Sequence, residues 1–379
     1  VIFVGLAAVA AVIWLGILLV PWLPWSTRER LDATAQSSSD LEDLSTVTVL
    51  IPARDEAAVL PRTIDALRGQ GEGLRIVIVD DQSTDGTAEA ARKAGGPTCE
   101  VVTGAPIPDG WVGKLWALEQ GRHYVRTPLT LLIDADIEIR PGLVPALLAR
   151  RRTDEVQLVS LMAVLAMGTL WEKLLVPAFI YFFKLLYPFR LSNSPTRLVA
   201  AAAGGCILVE TAMLERIGGF GSLRHALIDD CTLARRVKEA GGRTWIGLTH
   251  SAVSLRPMGS LGAIWRMVAR SAFAQLNYSL LLLLACVTLL AVAFWVPIAG
   301  LFITQPQVRW LSAIALGAMV ATYVPTLLFY GRSPLWALAL PITGTLYLLM
   351  TVSSAVREWR GLGASWKGRA YGARAARIA

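Results

Sequence analysis

Charge and sulfur are both scarce in this chain. Charged residues make up 17% of its 379 positions and the apolar set AVILMFWYC 54%, whereas a soluble globular domain has roughly 25% and 45–50%. That excludes an ordinary soluble protein and implies membrane segments beside one water-facing domain. Cys99, Cys206, Cys231 and Cys286 form no CxxC pair and no zinc spacing, which leaves no disulfide framework and points to a reducing compartment. The three histidines, His123, His225 and His250, stand in unrelated contexts, so zinc has no ligand set to build on. Acid is almost missing from the last 140 residues, which hold 12 basic residues and only Glu358, while the other 27 acids lie between Glu29 and Glu239. The net charge of +8 is therefore a membrane-flank property and gives no sign of a nucleic-acid partner. Any carboxylate chemistry belongs to the first two thirds. No GxxxxGK[ST] loop, no GxSxG elbow and no internal repeat occurs, and Gly69-Gln-Gly71-Glu-Gly73 precedes its strand and reads as a loop.

Residues 1–20 carry no charge and are long enough to cross a hydrocarbon core of about 30 Å. Trp22, Trp25, Arg28 and Arg30 follow, as expected of a retained anchor with Arg28 on the cytoplasmic side. Residues 279–303, 311–330 and 335–356 are three further candidates. The tail behind them carries Arg357, Arg360, Lys367, Arg369, Arg374 and Arg377, which the positive-inside rule places in the cytoplasm. Three crossings after a cytoplasmic domain would leave that tail outside. Either one segment is re-entrant or interfacial, or the charge rule is overridden. Residues 162–187 are apolar but interrupted by Glu172, Lys173, Lys184 and Pro177. They suit a helix lying in the interface plane, or a buried core helix, rather than a crossing.

Between the anchors, strands and helices alternate. Residues 46–51, 74–79 and 129–133 read as buried strands, and 57–68 and 87–95 as helices. Pro141 stands where a helix likes to begin. Such alternation implies a mainly parallel sheet covered on both faces, with ligands bound at the carboxyl ends of its strands. Asp80-Asp81 and Asp134-Ala-Asp136 stand at those ends. An aspartate there also suits a plain helix cap, the role expected of Asp85. Asp134 and Asp136, two apart in an extended segment, point to one side. There they repel unless a hard divalent cation joins them. Asp229-Asp230 opens a helical run that ends at Gly241-Gly242. Asp230 suits either an N-terminal cap or a general base for an attacking hydroxyl.

Together, Val49-Leu-Ile-Pro-Ala-Arg-Asp-Glu56, Val79-Asp-Asp-Gln-Ser-Thr-Asp-Gly-Thr87, Asp134-Ala-Asp136, Glu215-Arg-Ile-Gly-Gly-Phe220 and Asp229-Asp-Cys-Thr-Leu233 resemble the family 2 glycosyltransferases of the GT-A fold. Gly110-Trp-Val-Gly-Lys-Leu-Trp-Ala117 and the tail Trp366-Lys-Gly-Arg-Ala-Tyr371 narrow the resemblance to a membrane-anchored subgroup. That subgroup includes carotenoid glycosyltransferases and, closest, the hopanoid-biosynthesis-associated ones. The resemblance implies an α/β fold: a GT-A nucleotide-binding domain with a Rossmann-like mixed, mainly parallel sheet and transmembrane helices at both ends. It further implies that Pro52, Ala53, Arg54 and Glu56 line the base pocket and that Asp80 or Asp81 contacts base or ribose. Asp134 would face the ribose and diphosphate, Asp136 would hold Mg2+ or Mn2+, and Lys114 would stand near the diphosphate or sugar. Gly204, Gly205 and Cys206 would form the acceptor-side wall. Asp230 would be the base, with Asp229 where the family often has Glu. Trp265-Arg266-Met-Val-Ala-Arg270 only echoes the Q-x-x-R-W motif of polymerising synthases, leaving Arg266 or Arg270 to stabilise the leaving diphosphate.

The expected division is an anchor at 1–25, a linker at 26–45, and a catalytic domain at 46–255 with the interfacial helix around 162–187. An amphipathic segment at 256–278, membrane segments at 279–356 and a basic cytoplasmic tail at 357–379 follow. The expected function is inverting, metal-dependent transfer of a sugar from a nucleotide donor, a UDP-sugar foremost, to a lipid hydroxyl. The setting is the bacterial inner membrane, with the domain facing the cytoplasm. The alternatives are a polyprenyl-phosphate glycosyltransferase, which needs no base, and a non-catalytic nucleotide-binding membrane protein.

Overall fold

The computed structural model describes residues 1–33 and 43–362, and the backbone of 365–366 and 369–370. Residues 34–42 of the expected linker, with Ser37–Ser39, and most of the basic tail lie outside the described residues. The chain divides into two compact units.

One unit contains Glu29–Ala166 and Leu191–Pro257. Its sheet is built from β1 (Val47–Ala53), β2 (Arg75–Asp80), β3 (Cys99–Thr103), β4 (Leu129–Ile133), β5 (Ile137–Ile139), β6 (Leu158–Val164), β7 (Cys206–Glu210) and β8 (Thr244–Ser254). The order is β3-β2-β1-β4-β7-β6-β8-β5. β3, β2, β1 and β4 run parallel, as do β6 and β8. β7 is antiparallel to both its neighbours, and β5 to β8. The sheet is thus mixed and mainly parallel. Alternation along β1 sends Val49 and Ile51 to one face, with Leu60, Ile64 and Leu147, and Leu50 to the other, with Leu115, Leu118 and Val237. Each such side chain contributes about 1.5–3 kcal/mol on burial. Helices on both faces explain why the central strands are apolar throughout.

The strand expected over 46–51 runs through Pro52 to Ala53. Its pairing with β4 stops at Leu50, so one side of the strand is open where the proline removes a donor. The helix expected from residue 57 begins at Leu60, with Pro61 in its first turn, a position proline favours. The helix after Pro141 begins two residues on, at Leu143. The linker expected from residue 26 is in part an added strand edge: Leu248 N donates to Glu29 O and Leu31 N to Leu248 O, at 2.8 and 2.9 Å. Asp32 accepts from His250 N at 2.5 Å.

The other unit contains Val1–Arg28, Met167–Arg190 and Met258–Gly363. Four of its helical segments, Ile2–Leu19, Leu280–Gly300, Pro306–Phe329 and Pro334–Trp359, are long and apolar enough to cross a membrane. They pack through small residues: Ala10, Ala11, Ala293, Ala315 and Ala318 surround Trp14, Phe294 and Tyr323, and helices approach closely where side chains are small. Trp14 Nε1 donates to Ala293 O at 2.8 Å. The span 162–187 proves composite, with β6 continuing to Val164 and a helix at Leu170–Leu186. Strand pairing claims the first residues, and the capping box of Thr169 and Glu172 sets the start of the helix.

Candidate active site

The carboxyl ends of β1 and β2 are zipped together by short polar side chains. Asp55 N donates to Ser83 Oγ at 2.9 Å, Thr84 N to Asp55 Oδ1 at 2.9 Å and Glu56 N to Thr87 Oγ1 at 2.8 Å. Asp85, the expected cap, accepts from Thr87 N and Ala57 N, each at 3.0 Å. Asp55 and Gln82 both take positive φ, +51° and +58°, which costs a non-glycine residue about 1–3 kcal/mol and is typical of functional loops. Arg54 folds across this zipper, Nη1 donating to Asp81 O at 2.6 Å, with the Asp81 carboxylate 3.9 Å away. Asp81 is fully buried and Asp80 nearly so; Asp80 Oδ1 accepts from Ser83 N at 3.3 Å.

The centre of the site is Lys114, in the first turn of the helix Gly113–Arg122. Its Nζ lies 2.6 Å from Asp134 Oδ1, just after β4, and 4.0 Å from Asp229 Oδ2. One ammonium therefore stands between two acids 95 positions apart in the chain. Burial would lower the Lys114 pKa, but Asp134, Asp229 and Asp230 outweigh burial and hold it above its ordinary value. Burial raises Asp134 against the pull of Lys114, with Asp136 and Asp229 adding to the rise.

Asp229 and Asp230 occupy the first turn of the helix Asp229–Glu239, whose N-cap is Ile228. Asp230 is therefore no plain cap. Its Oδ2 accepts from Gly204 N at 2.9 Å and its Oδ1 from Cys231 N at 2.7 Å. Burial and then the charge of Asp229 push its pKa up, while Cys231 N–H, Lys114 and Gly204 N–H pull against them. A Cβ on Gly204 would stand 3.3 Å from Lys114 Nζ and 3.5 Å from Asp230 Oδ2, so the backbone approaches both charges closely there. Pro52, Lys114, Asp134, Gly204, Phe220, Leu223, Asp229 and Asp230 line one pocket.

Asp136 lies at the next turn. Its Oδ2 accepts from Ser254 Oγ at 3.0 Å and faces Arg256 Nε at 3.9 Å. Arg256 also pairs with Glu56. Sequence reasoning missed Ser254 and Arg256. The available signal was the run 244–254, a strand whose carboxyl end must also point at the site.

Of the acceptor-side trio, Gly204 lines the pocket, but Cys206 does not. It is fully buried in β7 on the sheet face opposite Ile207, because successive strand residues alternate faces. A Cβ on Gly205 would meet Ile137 and Ala163, not the pocket. Arg266 lies on the helix Leu261–Ala269, and Arg270 caps its C-terminus; both belong to the membrane-helix unit. Among the described residues, no three His, Cys, Asp or Glu are gathered closely enough to enclose an ion.

Strand order, two-sided helical cover and acids at the carboxyl ends define an α/β domain with its site at one end of the sheet. A mannosyltransferase from Pyrobaculum calidifontis, solved with GDP-Man and Mn2+, superposes with a TM-score of 0.54 over 94% of this chain and 98% of its own, at 19% identity. The fold is GT-A, with apolar helices at the N-terminus and toward the C-terminus. Residues 48–218 match the model of the family described as Glycosyl transferase family 2, so the chain carries a family 2 glycosyltransferase domain. Two curated relatives are a 4,4'-diaponeurosporenoate glycosyltransferase of Staphylococcus haemolyticus and an undecaprenyl-phosphate 4-deoxy-4-formamido-L-arabinose transferase of Edwardsiella ictaluri. The first is 34% identical over 26% of this chain and 26% of its own length, the second 33% identical over 29% and 34%. The chain thus spans about a quarter to a third of the relatives it matches.

Proposed function

We propose that the protein is an inverting, metal-dependent glycosyltransferase that moves a sugar from a nucleoside-diphosphate donor, a UDP-sugar foremost, to a hydroxyl of a membrane lipid. The observation that carries this reading is the Asp230 carboxylate, half-buried, raised in pKa and held by Gly204 N–H beside Lys114 and Asp134. A group so tuned takes a proton near neutral pH.

In the proposed step the acceptor oxygen bonds to the anomeric carbon, and its proton passes to Asp230. The bond from that carbon to the diphosphate oxygen breaks on the opposite face, and the departing diphosphate gains negative charge. Lys114 stands where it can neutralise part of that charge. Asp134 and Asp136 would hold a divalent ion. They supply hard oxygen ligands, and acids outnumber cations locally: Asp134, Asp136, Asp229, Asp230 and Glu56 against Lys114 and Arg256. Two carboxylates do not enclose an ion, which suits Mg2+ or Mn2+ shared with donor phosphates. When bound, the ion would supply charge neutralisation at the diphosphate.

A lipid acceptor is supported by the membrane-length helices carried on the same chain and by relatives named for lipid substrates. Within that class we favour a hopanoid or another isoprenoid, in the bacterial inner membrane with the domain facing the cytoplasm. Arg266 and Arg270 are assigned to the leaving diphosphate, and Pro52, Ala53, Arg54, Asp80 and Asp81 to base and ribose.

The second reading, transfer to a polyprenyl phosphate, has the Edwardsiella relative in its favour. Purified protein in detergent, given a panel of nucleotide sugars and host lipid extract, is expected to add a hexose-sized mass to a lipid. The gain should vanish in EDTA and return with Mn2+. A product that survives Asp230→Asn nearly undiminished supports the phosphate acceptor, and no product with any donor sinks both readings.

A further inference from the structure

The guanidinium of Arg256 stands at one corner of the acid cluster, between two acids that come from separate strand ends. It pairs with Glu56 beyond β1, and its Nε lies 3.9 Å from Asp136 Oδ2 beyond β4. Its backbone is fixed: Leu255 N donates to Asp136 O at 2.7 Å and Arg256 N to Ser254 Oγ at 3.4 Å. Pro257 follows, which restricts Arg256 to extended conformations. The side chain is freer than its backbone, 46% exposed against 8% for Glu56. A guanidinium carries five N–H donors in a planar fork, enough to serve Glu56 and a phosphate oxygen together.

We propose that Arg256 is a positioning residue with two opposed effects: it competes with a divalent ion for Asp136, and it lends its charge to the donor's diphosphate. The inference rests on the transferase reading above and adds a residue to it. Electrostatics sets the signs. A cation beside Asp136 lowers the affinity of that carboxylate for a second cation. Once a nucleoside diphosphate brings negative charge to the same place, the competition turns into cooperation. Arg256 moves from Asp136 to a phosphate oxygen while Glu56 keeps hold of it, so Asp136 yields to the ion only when the donor is present. The device favours binding of ion and donor together over binding of the ion alone, which limits idle occupancy of the site.

The test uses the full chain in detergent. Mn2+ binding is followed by electron paramagnetic resonance of the free ion, without nucleotide and with UDP or GDP, and nucleotide affinity is measured in saturating Mn2+. Arg256→Gln is expected to bind Mn2+ alone about tenfold more tightly and the nucleotide about tenfold more weakly, as loss of one charge at a partly exposed ion pair dictates. Arg256→Lys keeps the charge and should retain the wild-type affinity for Mn2+ alone, with part of the nucleotide affinity. It carries the test should Arg256→Gln not fold. Asp136→Asn sets the baseline for ion binding. Shifts of the same sign in both measurements, or no shift in either, overturn the inference, since a merely structural arginine weakens both or neither. A wild type that binds neither UDP nor GDP in Mn2+ overturns the transferase reading itself, and is told apart by that control.

Discussion

Asp230 shows how an ordinary carboxyl becomes a base. Burial and the charge of its sequence neighbour Asp229 push its pKa up to about 6. The ionised form is the one that accepts a proton, so the sign is set. kcat/KM should be level above that pH and fall about tenfold per unit below it, as the fraction ionised falls. A pH–rate profile flat down to pH 5 would remove Asp230 from the chemistry. Asp230→Asn keeps the size of the side chain and loses the base, and should lower kcat by about 10²–10⁴-fold with little change in donor affinity. Lys114→Met should behave differently. It leaves Asp134 and Asp229 facing each other without their shared cation, so donor affinity and kcat should both fall. Its thermal midpoint should drop as well, because two half-buried carboxylates lose the cation between them.

Among the elements, the helix Leu170–Leu186 is governed by a single carboxylate. Glu172 is fully buried, Oε2 accepting from Gly168 N and Thr169 N at 3.0 and 2.8 Å, and Oε1 from Met258 N and Gly259 N at 2.7 and 2.8 Å. Burial alone would raise its pKa, but these N–H donors together outweigh burial and hold it at about 2. A depressed carboxyl contributes stability that is fully present above its unfolded pKa and is lost as pH falls through the folded one. Wild type is therefore expected to lose midpoint temperature between about pH 4.5 and pH 2, and Glu172→Gln should lack that loss. Glu172→Ala strips the acceptor from four part-buried N–H groups at once and should cost on the order of 2 kcal/mol. A midpoint within 2 °C of wild type would show that the donors find other acceptors.

On the scale of the whole molecule, two cores are built by different rules. The sheet unit buries large aliphatic side chains on both faces of its strands, as water requires. The helical unit packs alanines around a few aromatics while leaving Leu281, Phe302, Trp310 and Leu335 exposed, which is stable only in lipid. The protein is therefore expected to stay in the membrane fraction through 1 M NaCl and alkaline carbonate washes and to leave it only with detergent. Recovery in the salt wash would mean a peripheral, charge-held attachment.

The sequence by itself determined the membrane-length segments and the positions of the acids at strand ends, because hydrophobic period and strand-end chemistry are local. Asp134 and Asp136 were legible that way, Asp229 and Asp230 as an acidic pair opening a helix, and Lys114 only through the family resemblance. Only the tertiary structure decided which of them meet. Lys114 joins Asp134 to Asp229 through space, and Asp230 takes Gly204 N–H as well as Cys231 N–H of its own helix. Cys206 turns to the far face because strand register, set by distant partners, fixes which side each residue takes. Arg256 reaches Asp136 for the same reason, since β8 pairs with β5 at Ser254 and Ile137, and no pattern within either segment announces that pairing.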